Sequence, residues 1–454
     1  MSARAVVLAA GKGTRMKSAQ PKVLHELCGR PMLWWVLEAL RAAGADEIVV
    51  VTSPELEPRL EGFGVRTVVQ SEQLGTGHAV KVALEALEPR DGCIVVAYGD
   101  MPLVDRTIFE DVQAAVDPDA GTALALVTAK MPLPSAFGRV VRGGPSTSAG
   151  SVERIVEAKD CTPEQLALDE MNAGIYAYDE TALRRAIVQV GNDNAQREYY
   201  LTDTVELLIA SGHRVAPVPV ADYRSVLGVN DRVELAAARE IVNRRLCEEH
   251  MRAGVTIVDP ATTYLEPGLT LATDVVIHPN TMLCGETRIG EGTSIGPNTR
   301  IAGSSVGARC TIHDSVVAAS EIADDVHVGP FAHLRGGTVL GRNVHVGNFV
   351  ETKKARLAED VKAGHLTYLG DVTVGPRTNV GAGTITCNFD GERKHETHIG
   401  ADAFIGTNTS LVAPITLGDG ATTGAGTVAI RDIEPGDKVV GNPARSIAKK
   451  PAGA

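Results

Sequence analysis

The apolar positions of this chain follow two different periods, and the change falls near its middle. In the first half, short apolar runs alternate with segments of helical period. Residues 5–8, 47–52 and 65–70 read as buried strands, and 93–97 (CIVVA) as a fourth, ending in Tyr98-Gly-Asp-Met-Pro102. Residues 31–43 and 79–87 repeat at helical period, and Val-Leu-His-Glu-Leu after Lys22 reads as the start of another helix. Strands alternating with helices predict an α/β domain, a mostly parallel sheet with helices on both faces. Ligands in such sheets lie beyond the carboxyl ends of the strands.

The second half keeps a different count. Leu271, Ile277, Leu283, Ile289, Ile295 and Ile301 fall six apart, as do Ile322, Val328, Leu334, Leu340 and Val346, and again Ile399, Ile405, Leu411 and Leu417. Many are followed by glycine. Neither a helix nor an ordinary strand has a period of six. Hexapeptide repeats build parallel β-helices in which each short strand forms one side of a triangular coil, here roughly ten coils. Handedness does not follow from the spacing. Between the halves, residues 231–252 are long, amphipathic and rich in Ala, Glu and Arg, which predicts a linking helix. The expected division is therefore 1–230, a linker at 231–252, and 253–454.

Composition narrows the function. At 454 residues the chain exceeds one typical domain. Aromatics are only 4% and glycines number 47, so small and aliphatic residues must build much of the core. A net charge of −12 argues against a nucleic-acid partner. The seven cysteines (28, 93, 161, 247, 284, 310, 387) are scattered and include no CxxC, as expected of reduced thiols in a cytoplasmic protein without a zinc site. No signal peptide is read at the N-terminus, and no apolar stretch of about 18 residues predicts a membrane span.

The densest chemistry lies in Leu8-Ala-Ala-Gly-Lys-Gly-Thr-Arg-Met-Lys-Ser-Ala-Gln-Pro-Lys22, a glycine-rich loop following a strand. Gly11 and Gly13 let backbone approach a ligand. Free N–H groups in such a loop attract phosphate oxygens. Lys12, Arg15, Lys17 and Lys22 supply the countercharge for a triphosphate. The spacing is neither GxxxxGK[ST] nor GxGxxG. Asp100 directly follows a buried strand, where a carboxylate either holds Mg²⁺ beside substrate phosphates or caps the next helix. The residues alone leave both open. Thr76 and Asn230 pose the same choice between a ligand contact and a helix cap.

The string LAAGKGTRM-x5-PK resembles the signature of the sugar-nucleotide pyrophosphorylases, which join a nucleoside triphosphate to a sugar 1-phosphate on a Rossmann-like sheet. The resemblance implies that Leu8, Ala9, Ala10 and Gly11 cradle the nucleotide and that Arg15 and Lys22 hold its phosphates. Tyr98-Gly99-Asp100 resembles the family's metal motif, with Asn230 as second Mg²⁺ ligand. Gln70 and the Gly75-Thr76 pair match the uracil-reading positions. Gly138, Glu157 and Asn172 match sugar-binding motifs, in the order found in N-acetylglucosamine 1-phosphate uridyltransferases. The stretch 143–150 (GGPSTSAG) reads as a flexible hairpin tip.

In the second half, Ala363-Gly-His365-Leu-Thr-Tyr368 breaks the aliphatic register, with Arg335, Lys353, Lys354, Arg356 and Lys394 near it in sequence. With Gly441-Asn-Pro-Ala-Arg445, this resembles a left-handed β-helix acetyltransferase, the glucosamine 1-phosphate N-acetyltransferase half of a bifunctional bacterial family. The resemblance covers nearly the whole chain. It implies His365 as general base, Arg335 and Lys353 on the sugar phosphate, and Tyr368, Asn379 and Lys394 lining the sugar. It places Asn388, Phe389, Thr407 and Ala425 on acetyl-CoA. It further implies a homotrimer acting on UTP, glucosamine 1-phosphate and N-acetylglucosamine 1-phosphate, and so supplying a precursor of peptidoglycan and lipopolysaccharide. Two positions depart from the family: Phe389 stands where Tyr is usual, and Asn442 where an Arg is usual. Arg445 or the Lys449-Lys450 pair would then meet the CoA phosphates. Two alternatives remain: a single-activity pyrophosphorylase for another sugar such as glucose 1-phosphate, and a β-helix that serves only for trimerisation or regulation.

Overall fold

The computed structural model describes residues 3–143 and 151–447. Most of the stretch read as a hairpin tip, and the Lys449-Lys450 pair, lie outside the described residues. The chain forms two compact units, 1–242 and 243–454.

In the first unit the main sheet runs in the order Arg214–Val220, Thr122–Lys130, Glu170–Asp179, Cys93–Tyr98, Ala3–Leu8, Ala45–Thr52, Arg66–Val69. All of these run parallel to one another except Glu170–Asp179, which is antiparallel to both its neighbours. A short antiparallel pair, Arg139–Arg142 with Val152–Val156, joins at the side. The continuous apolar runs arise because both faces are covered. Ala5 and Val7 pack with the helices Met32–Ala42 and Arg106–Ala114. Val6 and Leu8 point the other way, toward Thr76–Ala86 and Glu180–Ile187.

Leu8 sits opposite both Val51 and Tyr98. The three strands therefore end level, and the loops that follow them open at one edge of the sheet. One local expectation fails here. Lys22–Leu24 is a single 3-10 turn, followed by a tight antiparallel pair of Glu26–Leu27 with Arg30–Pro31, and the α-helix starts only at Met32. The apolar Val23, Leu24 and Leu27 imitate helical spacing, but Cys28 and Gly29 take positive φ and turn the chain back.

The expected helix is present at Arg232–Arg252. Leu235, Ala238 and Val242 are buried, and Arg232 Nε donates to the Met16 carbonyl within the first unit. Beyond them, Asn243 donates to the Thr263 carbonyl at 2.8 Å and accepts from the Leu265 N–H at 3.0 Å within the second. The division between the units thus falls inside the helix.

The second unit is a parallel β-helix. Strands of two or three residues stack in columns, with residues one coil apart in parallel register: Ile277 with Ile295, Ile295 with Ile312, Ile312 with Val328, Val328 with Val346. These side chains fill the interior and are fully buried. One corner uses left-handed backbone at every turn. Asn280, Asn298 and Asp314 occupy it first, all at positive φ, and their side chains form a hydrogen-bonded ladder of 3.1 and 2.8 Å. Asn and Asp tolerate that conformation. The same corner then passes to Phe331, Phe349 and Leu366, also at positive φ and more than half exposed. The rings of Phe331 and Phe349 stack 5.4 Å apart. Between Ile385–Cys387 and Thr397–Ile399 the chain leaves the coil as a loop and returns.

Candidate active sites

At the open edge of the first unit lies a cavity of about 360 Å³. Leu8, Ala9, Ala10 and Gly11 form one wall, Gln70, Gly75 and Thr76 another, and Tyr98, Asp100 and Lys22 the floor. Ten of the residues expected at the nucleotide thus meet in one space. Arg15 is exposed in the 3-10 turn Thr14–Met16 and does not line it.

Glycine is required at two of these positions. Gly75 has φ +109, and a Cβ there would stand 2.6 Å from the Tyr199 carbonyl oxygen and 2.8 Å from its nitrogen. Tyr199 in turn donates its N–H to Leu74 O, and Gly77 N–H donates to Tyr199 O at 2.7 Å. Gly13, at φ +58, lies over the stem of Lys22, whose Cβ would be 2.6 Å from an added methyl.

The helix-cap alternatives are answered directly. The helix after Asp100 is capped by Asp105, whose side chain accepts from Thr107 and Ile108 N–H. The helix after Asn230 begins with Asp231 accepting from Val233 and Glu234 N–H. Thr76 makes no cap contact; its hydroxyl accepts from Leu201 N–H at 3.1 Å. Asp100 and Asn230 are instead joined through Lys22. Its ammonium donates to Asp100 Oδ2 and, at 3.1 Å, to Asn230 Oδ1. A carboxylate and an amide oxygen therefore converge on one cation. Among the described residues no cluster of three or more His, Cys, Asp or Glu is built to hold a metal. A divalent ion at Asp100 and Asn230 would take its remaining oxygens from ligand and water.

The residues expected at the sugar adjoin this space. Gly138 O accepts from Asn172 N–H at 2.9 Å. A Cβ on Gly138 would sit 3.5 Å from both carboxylate oxygens of Glu157. Burial pushes the Glu157 carboxyl up, against a hydrogen bond from Thr202. Asn172 holds the turn after it by accepting from Gly174 N–H and donates to the Tyr176 hydroxyl. Gly99 N–H is tied to Leu8 O at 2.9 Å. Tyr98 is pushed up mainly by burial, and then by the charges of Glu157 and Asp100.

In the β-helix, His365 is exposed, and its Nδ1 is hydrogen-bonded to Asn348 Oδ1. An amide oxygen only accepts, so Nδ1 carries the proton and Nε2 keeps its lone pair. Arg335 pairs with Glu351 at 2.7 Å, and Glu351 lies in register beside Tyr368. The Lys394 ammonium beside Lys353, with Arg335 adding its charge, holds Lys353 below the usual lysine range. Three cations thus gather on one surface, as an anionic substrate group requires. Asn388 is buried and donates to Asp371 at 2.5 Å. Phe389 is exposed and bridges to Lys394 across the base of the loop. Thr407 and Ala425 are exposed in successive coils, with Thr407 O accepting from Gly426 N–H at 2.7 Å. Asn379 lies on the same column as Lys362 and Phe404. Asn442 sits in the turn between Lys438–Val440 and Arg445–Ser446, with Arg445 opposite Val440.

Sequence reasoning missed several residues. Asn348 and Glu351 act across coils and carry no local motif. His78 anchors Gln70 at 3.0 Å. Arg139 is fully buried and donates to the carbonyls of Ser135, Phe137 and Leu166, fixing the turn that leads into Gly138.

The chain's relatives agree with this two-site arrangement. Residues 5–160 match the MobA-like NTP transferase domain. Residues 319–354 match the bacterial transferase hexapeptide (six repeats), and 396–429 the hexapeptide repeat of succinyl-transferase. A protein of Trichlorobacter lovleyi named bifunctional protein GlmU is 45% identical, with 95% of this chain and 94% of that one covered. Proteins of the same name from Streptomyces avermitilis and Halalkalibacterium halodurans are each 44% identical, covering 96% and 94% of this chain and 91% and 94% of theirs. With a likeness of that degree running through both units, the chain belongs to the bifunctional GlmU family.

Proposed function

We propose that this protein is a bifunctional enzyme of UDP-N-acetylglucosamine synthesis. The β-helix unit transfers acetyl from acetyl-CoA to glucosamine 1-phosphate. The first unit then transfers uridylyl from UTP to N-acetylglucosamine 1-phosphate and releases pyrophosphate. The observation that carries the reading is that two complete sets of residues, one for each reaction, assemble in two separate units. The activities accordingly divide along the helix at 231–252.

In acetyl transfer, Arg335 and Lys353 hold the sugar phosphate while Tyr368, Asn379 and Lys394 line the sugar. His365 Nε2 takes a proton from the sugar amine as the amine nitrogen attacks the thioester carbonyl carbon. The C–S bond breaks, and the thiol leaves with a proton. Asn348 keeps the imidazole in the tautomer this requires. Asn388, Phe389, Thr407 and Ala425 contact acetyl-CoA, with Asn388 near the thioester oxygen. Arg445, beside Asn442, offers a cation to the CoA phosphates.

In uridylyl transfer the nucleophile is a phosphate oxygen, already anionic, so no general base is needed. Gln70 and the Gly75-Thr76 pair seat the uracil, Gly138, Glu157 and Asn172 the acetylated sugar, and Arg15 and Lys22 the phosphates. Asp100 and Asn230, whose oxygens already converge on one cation, would hold Mg²⁺, which supplies positive charge to the phosphate oxygens.

The β-helix works as a homotrimer in this reading. Phe331, Phe349 and Leu366 hold a left-handed conformation that is costly for bulky residues, and they present apolar surface beside His365. A second copy would cover it within a closed symmetry. The setting is cytoplasmic, in keeping with seven cysteines that form no disulfide. No described helix is long and apolar enough to cross a membrane.

A coupled assay with glucosamine 1-phosphate, acetyl-CoA and UTP tests the whole reading. UDP-N-acetylglucosamine should form only when all three are present. Absence of acetyl transfer would leave the β-helix a scaffold, and preference for glucose 1-phosphate with UTP would reassign the sugar.

A further inference from the structure

The Lys22 ammonium is neither exposed nor turned toward the glycine-rich loop. Its side chain retains 13% of its exposure and that of Asp100 18%. It occupies the point where Asp100 Oδ2 and Asn230 Oδ1 converge, the two oxygens assigned above to the divalent ion. A charge-assisted contact to a carboxylate is among the stronger polar interactions. Two cations cannot share these oxygens at hydrogen-bonding range without strong repulsion. Lysine is also suited to leaving: its charge is a single point on a flexible four-carbon stem. Lys22 lines the nucleotide cavity together with Gly11. Gly13, which lacks a side chain, leaves room for the stem beneath the loop.

We propose that Lys22 is a latch on the metal site. In the nucleotide-free protein its ammonium fills the divalent-cation position and keeps the ion out. An arriving triphosphate offers it a denser negative charge, Lys22 swings onto the phosphates, and Asp100 and Asn230 are released to the ion that enters with the nucleotide. Metal and triphosphate then favour each other's binding by the same factor. This inference rests on the reading that Asp100 and Asn230 hold the metal.

The test uses Mn²⁺ as probe on the full chain, with free Mn²⁺ followed by electron paramagnetic resonance. Without nucleotide, wild type should bind Mn²⁺ weakly, and Lys22→Met should gain one site per chain with at least ~10-fold tighter binding. Adding Asp100→Asn to Lys22→Met should remove the gained site. Lys22→Gln, which keeps hydrogen-bonding capacity but not charge, should also bind more tightly than wild type. Unchanged or weaker Mn²⁺ binding in both Lys22 variants overturns the latch. A separate arm protects the distinction: with UTP present, wild type should hold enzyme-bound Mn²⁺ and Asp100→Asn should lose it. If that arm succeeds while the Lys22 variants show no gain, the metal reading stands and the latch falls. If Asp100→Asn keeps its bound Mn²⁺, the metal reading falls and takes the latch with it.

Discussion

His365 and Asn348 lie opposite each other in adjacent coils, and the imidazole Nδ1 donates to the amide oxygen across the rung. This pairing makes Nε2 the basic atom. His365→Ala should lower acetyl transfer by roughly 10² to 10⁴-fold while uridylyl transfer from preformed N-acetylglucosamine 1-phosphate stays near wild type. Equal loss of both rates with a lowered Tm would reduce His365 to a packing residue. Asn348→Ala should also slow acetylation, and its pH–rate profile should shift, because the imidazole has lost the partner that selects its tautomer. Rate loss with an unmoved profile would count against that role.

The opposite pattern is expected from the first unit. Asp100→Ala should cut uridylyl transfer by roughly two or more orders of magnitude and leave acetylation intact. Since Asp105 caps the following helix, the substitution should cost little stability. A Tm drop of many degrees with the rate preserved would reverse the assignment.

Gly75 gives a steric prediction. Adding a methyl there meets the Tyr199 backbone and violates φ +109. Gly75→Ala should destabilise the first unit by roughly 1–3 kcal/mol and raise KM for UTP, because the uracil-reading turn must move. Chemical denaturation and steady-state kinetics check both.

The β-helix should be acid-sensitive. His327 and His345 stack at 4.8 Å and 6°, and His313 meets His327 edge-on at 5.5 Å. Burial, and then the neighbouring charges, hold both stacked rings below the usual imidazole range: His345 and His313 act on His327, His365 and Lys362 on His345. The folded state therefore binds protons less readily than the unfolded chain. As pH falls from about 6.5, the unfolded chain takes up protons first and stability is lost. The Tm should drop between pH 7 and 5, and His327→Gln with His345→Gln should flatten that slope. A pH-independent wild-type Tm over this range would contradict the sign.

Asp203 should behave in the other direction. Burial, with Glu206 and Asp160 nearby, raises its carboxyl to about 6. The folded state then holds its proton more tightly than the unfolded chain, so this group's contribution falls as pH rises from about 4 to 6. Asp203→Asn should raise the Tm of the first unit at pH 7.5 and change it little at pH 4.

How far the residues alone disclosed this molecule depends on the distance over which each signal acts. Ile277 to Ile301 announced their coil because inward aliphatics repeat locally. Leu8 to Gly11, Gln70 and Asp100 were visible because each follows an apolar run that ends at one sheet edge. Lys22 was expected on phosphates, yet its carboxylate partner is 78 positions away, a relation no local pattern contains. Asn348 and Glu351 were hidden because coil length varies: Ser294 pairs with Thr311, Thr311 with His327, and His327 with His345. Cross-coil neighbours therefore cannot be counted off along the chain. The helix expected after Lys22 failed because apolar spacing over five residues is compatible with a 3-10 turn and a tight reversal.

That variable coil length, set against an unbroken inward stack, means the β-helix keeps a reading frame. Each rung touches only the rungs before and after it, so the fold checks phase locally and total height not at all. Deleting residues 274–291 would carry the chain from one coil to the corresponding point of the next, close to the pairing of Val276 with Ser294. The prism would shorten while every later side chain kept its face. A deletion of three residues would instead rotate all that follows, parting His365 from Asn348. The excursion between Cys387 and Thr397 respects the same rule, leaving the coil at one corner and rejoining it in phase. Lineages of such a chain can change length in whole turns, and frame, rather than length, is what their catalytic residues depend on.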